Sequence, residues 1–218
     1  MSAEAIIHLL ASLGADAARG RTPVLLPIAA KSKRPEYPDW QLTTWADTQR
    51  EDHLRRLAAH RNTGLLTGPP SGGLCAMDLD HDDFAAEFLE LNPGWRETWT
   101  VRGARGCKML AWMIPDARLT HLGWGGYPQK KQLLKKVNPG GEPIAVGEFL
   151  SGGNQAVVRG IHPEGMEYRV TCGAPPIEVN WRDLRWPAGW LMPWEAEWNK
   201  LLEARYGEPF IMDDSDKV

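Results

Sequence analysis

Two aspartates one residue apart, Asp78 and Asp80, close a short apolar run at residues 74–77, and two more acids follow at Asp82 and Asp83. In an extended strand alternate side chains share a face, so Asp78 and Asp80 point the same way. Carboxylates so placed repel each other unless a cation lies between them. That pattern suits Mg²⁺ or Mn²⁺ bound by hard oxygen ligands together with a phosphate-bearing substrate. It equally suits a solvated turn at a strand end, with Asp82 capping a helix that starts at Asp83. A calcium loop of the EF-hand kind is excluded, because its Gly position falls on Asp83 and its final Glu position on Leu89. Taken alone, the acids leave metal binding and a solvated turn both open.

The elements that would position these acids can be read from the periodicity around them. Residues 4–13 form an amphipathic helix, with Ile6, Ile7, Leu9, Leu10 and Leu13 inward and Gly14 as its stop. A strand at residues 23–29 leads into the basic loop at residues 31–35. Thr48 and Glu51 have the spacing of a capping box that opens a helix to about His60. A strand at residues 63–67 passes through a Gly/Pro-rich loop, residues 68–73, into the acidic strand. That loop lacks the Gly-Lys-Ser/Thr ending of a P-loop. A helix spans residues 83–91, and residues 97–102 and 107–114 form a β-hairpin in which Lys108, Leu110 and Trp112 share one face. Residues 115–142 read as a long connection carrying Lys130, Lys131, Lys135 and Lys136. Strands follow at about 143–149, 155–158 and 167–170. Ile144, Val146 and Glu148 then fall on one face, with Glu148 at the end of an apolar stripe. The tryptophans at 181, 186, 190, 194 and 198 read as packing residues, the last two on a helix at residues 194–206, and residues 207–218 read as a flexible acidic tail. Helices mixed with hairpin-linked strands indicate an α+β fold.

Composition narrows the setting. The chain has 218 residues, 43% hydrophobic and 24% charged, enough for a sizeable core. A net charge of −3 argues against non-specific coating of nucleic acid but allows a local basic groove. Three cysteines with no C-x-x-C pair suggest neither a zinc knuckle nor a disulfide framework. No apolar run reaches the roughly 18 residues of a membrane span, and the early Glu4 without a basic start does not resemble a signal peptide. A cytoplasmic protein without a membrane partner is expected.

Four blocks, taken in order, resemble the primase–polymerase (prim-pol) domain of the archaeo-eukaryotic primase superfamily. They are Ser32-Lys33-Arg34-Pro35 with Trp40; residues 62–68 and 71–74 leading to Met77-Asp78-Leu79-Asp80; the Gly-rich hairpin at residues 100–108; and Gly147-Glu148-Phe149 followed by Gly153, Val157, Val158 and residues 162–168. The resemblance implies a single domain over residues 1–206, in which a primase-like, RRM-like catalytic sheet intertwines with an N-terminal α/β unit. It implies three acidic ligands, Asp78, Asp80 and Glu148, holding two divalent ions, Mg²⁺ or Mn²⁺. Nucleotide contacts would come from Lys108, Arg105, His162 and Lys33. The implied activity is that of a plasmid or phage replication protein, joining nucleoside triphosphates on a single-stranded DNA template, with a helicase domain or protein as a partner. One position departs from the family. Where its second motif carries a His after a Gly, this chain has Gly106-Cys107-Lys108. Lys holds phosphate as a point charge, whereas His adds a directional donor that titrates near neutrality. The same departure suits a catalytically silent module that binds DNA or nucleotide. A metal-dependent nuclease or phosphatase using the same acids is a third reading.

Overall fold

The structure, a computed structural model, describes residues 2–29, 32–138, 140–197 and 199. Helix α1 (Ala3–Ser12) begins on Ser2, whose side chain accepts from the Ala5 amide. Ile6, Leu9 and Leu13 are buried, but Ile7 is 68% exposed, contrary to the expectation that it faces inward. A single helix against a sheet buries one stripe, and Ile7 lies one step round the helix from it. Strand β1 (Val24–Ile28) is buried at every position. The capping box belongs to Thr44 and Asp47, which open the short helix α2 (Trp45–Thr48). The Thr48–Glu51 box does not form, because Thr48 Oγ1 donates to the Trp45 carbonyl inside α2. Helix α3 (Glu51–Ala59) therefore starts at Arg50 without a side-chain cap.

After β2 (Asn62–Leu66) and β3 (Leu74–Leu79) comes α4 (Asp82–Leu91), then the hairpin β4 (Thr100–Arg102) and β5 (Cys107–Met113). Residues 115–142 are not a plain connection. They hold α5 (Ala117–His121) and β6 (Lys131–Lys135), whose outer lysines mask a strand with Leu133 buried at its centre. Strands β7 (Ile144–Leu150), β8 (Gln155–Ile161), β9 (Glu167–Cys172) and β10 (Ile177–Val179) complete the described elements. Residues 200–218, with most of the helix read at 194–206 and all of the acidic tail, lie outside the described residues, as does Trp198.

The strands join one curled sheet in the order β1-β2-β8-β9-β4-β5-β3-β7-β6, with β10 parallel to β5 and the other pairs antiparallel. The fold is thus α+β. The N-terminal strands are not a separate layer, since β2 pairs with β8 and so continues the sheet that holds the acids. Each face has its own core. On one, Ile6 and Leu9 of α1, Leu13 just past its end and Leu57 of α3 pack over Leu74, Ala76, Leu110, Trp112 and Leu150. On the other, Phe88 and Trp95 join Cys75, Met77, Met109 and Phe149, under Trp190 and Trp194 and the partly buried Trp181 and Trp186. These four tryptophans pack edge-on or tilted against one another and against Phe84, Phe88 and Phe149, as packing residues do. No helix among the described residues is long and apolar enough to cross a membrane.

Candidate active site

Strand β3 sits between β5 and β7, and its register decides the site. Asp78 lies opposite Lys108 on β5 and opposite Glu148 on β7. Directly opposed residues on neighbouring strands project to the same side. The row Lys108–Asp78–Glu148 therefore shares one face with Ala76, Leu110 and Leu150, at the edge of the first core. Asp80 follows just past the strand end, exposed, with its amide bonded to the Val146 carbonyl at 3.0 Å.

Glu148 reaches this row by a route the alternation of β7 does not give. Val146 packs into the opposite core with Met77 and Phe149, so it does not share a face with Glu148, and Ile144 is exposed. The register slips at this point, with Leu133 opposite Gly147 but Leu134 opposite Ala145. Val146 is the extra residue of a bulge, which reverses the alternation and turns Glu148 to the Asp78 side. Gly147 is required there, because a Cβ would run into the Asp78 carbonyl oxygen. Gly106, at φ +61°, is required for the same reason beside the Leu79 carbonyl.

Two cavities open on this face. The smaller, about 140 Å³, is lined by Lys33, Asp78, Asp80, Arg105, Lys108 and His162, so it gathers every proposed site residue except Glu148. The larger, about 470 Å³, is lined by Glu148 and Lys130 and shares Lys33, Asp78, Lys108 and Tyr168 with the smaller one. Arg105 and Lys33 are exposed at the rim. His162 stacks edge-on against Tyr168 at 5.6 Å, and its Nδ1 accepts from the Glu164 amide at 3.2 Å, which leaves Nε2 as the donor. Burial and the nearby Lys33 hold His162 below its ordinary value.

Lys108 Nζ lies 2.9 Å from Asp78 Oδ1, and each side chain keeps only about a fifth of its surface, 18% and 21%. Burial pushes the Asp78 carboxyl up, against the downward pull of Lys108. Burial works in the other direction on Lys108, but the charge and hydrogen bond of Asp78 outweigh it and hold the ammonium above its ordinary value. The same ammonium lies 5.8 Å from the Tyr168 ring centroid. Glu148 is paired in turn, its Oε1 2.9 Å from Lys130 Nζ. The neighbouring Cys107 is no candidate nucleophile, since burial pushes its thiol up to about 11.

Three carboxylates are the donors that Mg²⁺ or Mn²⁺ prefer, and two of them share a row, so the donor chemistry fits a divalent ion. Among the described residues, however, no three His, Cys, Asp or Glu side chains are gathered tightly enough to hold a metal ion. Lys108 and Lys130 supply the positive charge on Asp78 and Glu148 instead.

Other charged residues near the site are spent on structure. Asp82 is not the helix cap; His81 is, its Nδ1 accepting from the Asp83 amide. The Asp82 carboxylate instead accepts from the Arg102 guanidinium and from the Gly106 amide, which braces the β4–β5 turn. Lys131 pairs with Glu197 and Lys135 with Glu87, each at 2.5 Å, so with Lys130 on Glu148 three of the four lysines at 130–136 are paired with distant acids. Sequence reasoning offered Lys130 only as part of the basic run at 130–136, a candidate DNA contact, and assigned no site role to Tyr168 and Gln155. For Tyr168 the signal was an aromatic residue set between two charged ones, Glu167 and Arg169. Its hydroxyl is buried without a hydrogen-bond partner, as is Gln155 Oε1, while Gln155 Nε2 donates to the Lys33 carbonyl.

The curled α+β sheet thus carries a cleft lined by paired acids and bases. A family model described as "Bifunctional DNA primase/polymerase, N-terminal" (Prim-Pol) matches residues 15–181, and the chain belongs to this family. Membership points to primase/polymerase activity, with DNA and nucleotides as substrates. No curated protein matches the chain.

Proposed function

We propose that this chain is the primase/polymerase domain of a plasmid or phage replication protein, and that it adds nucleotides by metal-dependent transfer on a single-stranded DNA template. The observation that carries this reading is the in-register row Lys108–Asp78–Glu148, with Asp80 beside it, in a chain of the Prim-Pol family. Asp78, Asp80 and Glu148 would hold Mg²⁺ or Mn²⁺. Ions bound there supply a lowered pKa for the attacking hydroxyl and neutralise the triphosphate and the leaving pyrophosphate. The chain's own residues bind and orient. Lys33 and Arg105 attract the phosphates from the rim, and His162 Nε2 donates to them. Lys108, once it releases Asp78, gives its ammonium to the same anion. A helicase domain or protein would present the single strand.

A second reading, a catalytically silent module that binds DNA or nucleotide, is favoured by the two ion pairs, because Lys108 and Lys130 stand where cations would otherwise neutralise the acids. Titration of Mn²⁺ into wild type and Lys108→Ala, followed by electron paramagnetic resonance, separates the readings. The enzyme reading expects wild type to bind Mn²⁺ and the variant to bind it comparably. A wild type that does not bind, beside a variant that binds markedly tighter, would mean that Lys108 plugs the site, and the silent module would replace the polymerase.

A further inference from the structure

The two cavities meet at a shared wall of Lys33, Asp78, Lys108 and Tyr168 and differ on either side of it. The smaller continues to Arg105 and His162, which are cationic or hydrogen-bonding, with the acids Asp80 and Glu164 beside them. The larger continues to Trp40, Pro35, Leu150 and Val157, which are apolar, and also to Arg34, Lys130, Glu148 and the amides of Asn154 and Gln155. Its volume of about 470 Å³ lies in the roughly 300–1,000 Å³ range of small-ligand sites, and the smaller cavity at about 140 Å³ falls short of it. Trp40 is anchored, packed against the buried cluster of Val24, Leu26 and Leu66 while lining the larger cavity. A ring fixed in this way is a ready stacking surface for a base. Two polar atoms of residues that line the larger cavity, the Tyr168 hydroxyl and Gln155 Oε1, are buried without a hydrogen-bond partner.

We propose that a nucleoside triphosphate spans both cavities, with its base on Trp40 in the larger and its phosphates among Lys33, Arg105 and His162 in the smaller. Its sugar then crosses the Tyr168 wall. This placement rests on the nucleotide-binding reading above and adds a direction to it. It makes Trp40, 38 residues upstream of Asp78 in the chain (78 − 40), the residue that holds the nucleoside.

Calorimetric titration of the full chain with ATP and with tripolyphosphate, each with equimolar Mg²⁺, tests it. Trp40→Ala should weaken ATP by about five- to a hundredfold, the usual loss of one base–aromatic stack, and leave tripolyphosphate unchanged. Arg105→Ala should weaken both. Because Trp40 also packs on the Val24 cluster, Trp40→Phe is the companion variant, and it should restore most of the ATP affinity. Equal losses of ATP and tripolyphosphate in Trp40→Ala, or no loss of ATP, would overturn the placement while the nucleotide reading stands. Unchanged ATP binding with weakened oligothymidylate binding would assign the larger cavity to the DNA strand instead. A wild type that binds neither ATP nor tripolyphosphate would remove the nucleotide reading and this placement together.

Discussion

Replacing Lys108 by Met removes one charge and keeps most of the side chain's bulk, so it isolates what the ammonium does for Asp78. The pair is in contact at 2.9 Å, with about a fifth of each side chain accessible. Stripping one partner from a fully buried pair costs about 3–5 kcal/mol, because the remaining charge is left uncompensated. The residual exposure of this pair reduces the expected loss to roughly 2–3 kcal/mol at neutral pH. The loss should depend on pH in a definite direction. Burial already raises the Asp78 carboxyl, so the folded state takes up this proton more readily than the unfolded chain does. Ionising Asp78 therefore costs stability as the pH rises from the ordinary carboxylate value, near 3.9, through the higher folded value. Without Lys108 that folded value rises further and the cost grows. Urea unfolding should then show a deficit in Lys108→Met that is largest near pH 7 and shrinks as the pH falls and Asp78 takes up its proton. Adding Asp78→Asn should recover most of it, since an amide leaves no buried charge. A variant as stable as wild type at pH 7, or a deficit that stays constant down to pH 4, would refute the claim that Lys108 is the buried counter-charge of Asp78.

Two other predictions follow from groups away from this pair. His53 is buried, its Nε2 donates to the Leu25 carbonyl at 2.8 Å, and burial lowers its pKa. Its contribution to stability should be complete above about pH 6.5 and lost as the pH falls through the lower folded value, so His53→Gln should flatten the dependence of the thermal midpoint on pH in that range. For DNA, Lys33 and Arg34 are exposed at the cleft, while Lys131 and Lys135 are spent on Glu197 and Glu87. Neutralising Lys33 and Arg34 should weaken single-stranded DNA and reduce the magnitude of the log–log salt slope by about 0.7 per lost phosphate contact. Neutralising Lys131 and Lys135 should leave that slope unchanged, as fluorescence anisotropy over a salt series would show.

Much of this arrangement is legible from local pattern. An apolar run ending in Asp-x-Asp reads as a strand with two acids on one face, and β3 carries Asp78 on a buried strand in that way. The hairpin that brings Lys108 across from Asp78 reads from its Gly-rich turn. What stays hidden is set by contacts between distant segments. Glu148 faces Asp78 only because a bulge at Val146 reverses the alternation, whereas a period-two reading puts Glu148 on the face of Val146. Strand β6 was concealed by lysines whose partners, Glu87 and Glu197, are far away in the chain, and these pairings spend Lys131 and Lys135 on structural ion pairs. Asp82 has the spacing of a cap but is drawn off by Arg102 and the Gly106 amide, contacts that exist only once the β4–β5 turn has formed.

If Asp78, Asp80 and Glu148 serve nucleotidyl transfer, their replacement must stop it. Incorporation of labelled nucleotides on primed and unprimed single-stranded DNA, in Mg²⁺ and in Mn²⁺, would compare wild type with Asp78→Ala/Asp80→Ala and with Glu148→Gln. Wild type should extend in a metal-dependent way and neither variant should, with both variants folded by circular dichroism. Wild-type-like synthesis by the double variant, or no synthesis by wild type in either metal, would contradict that role.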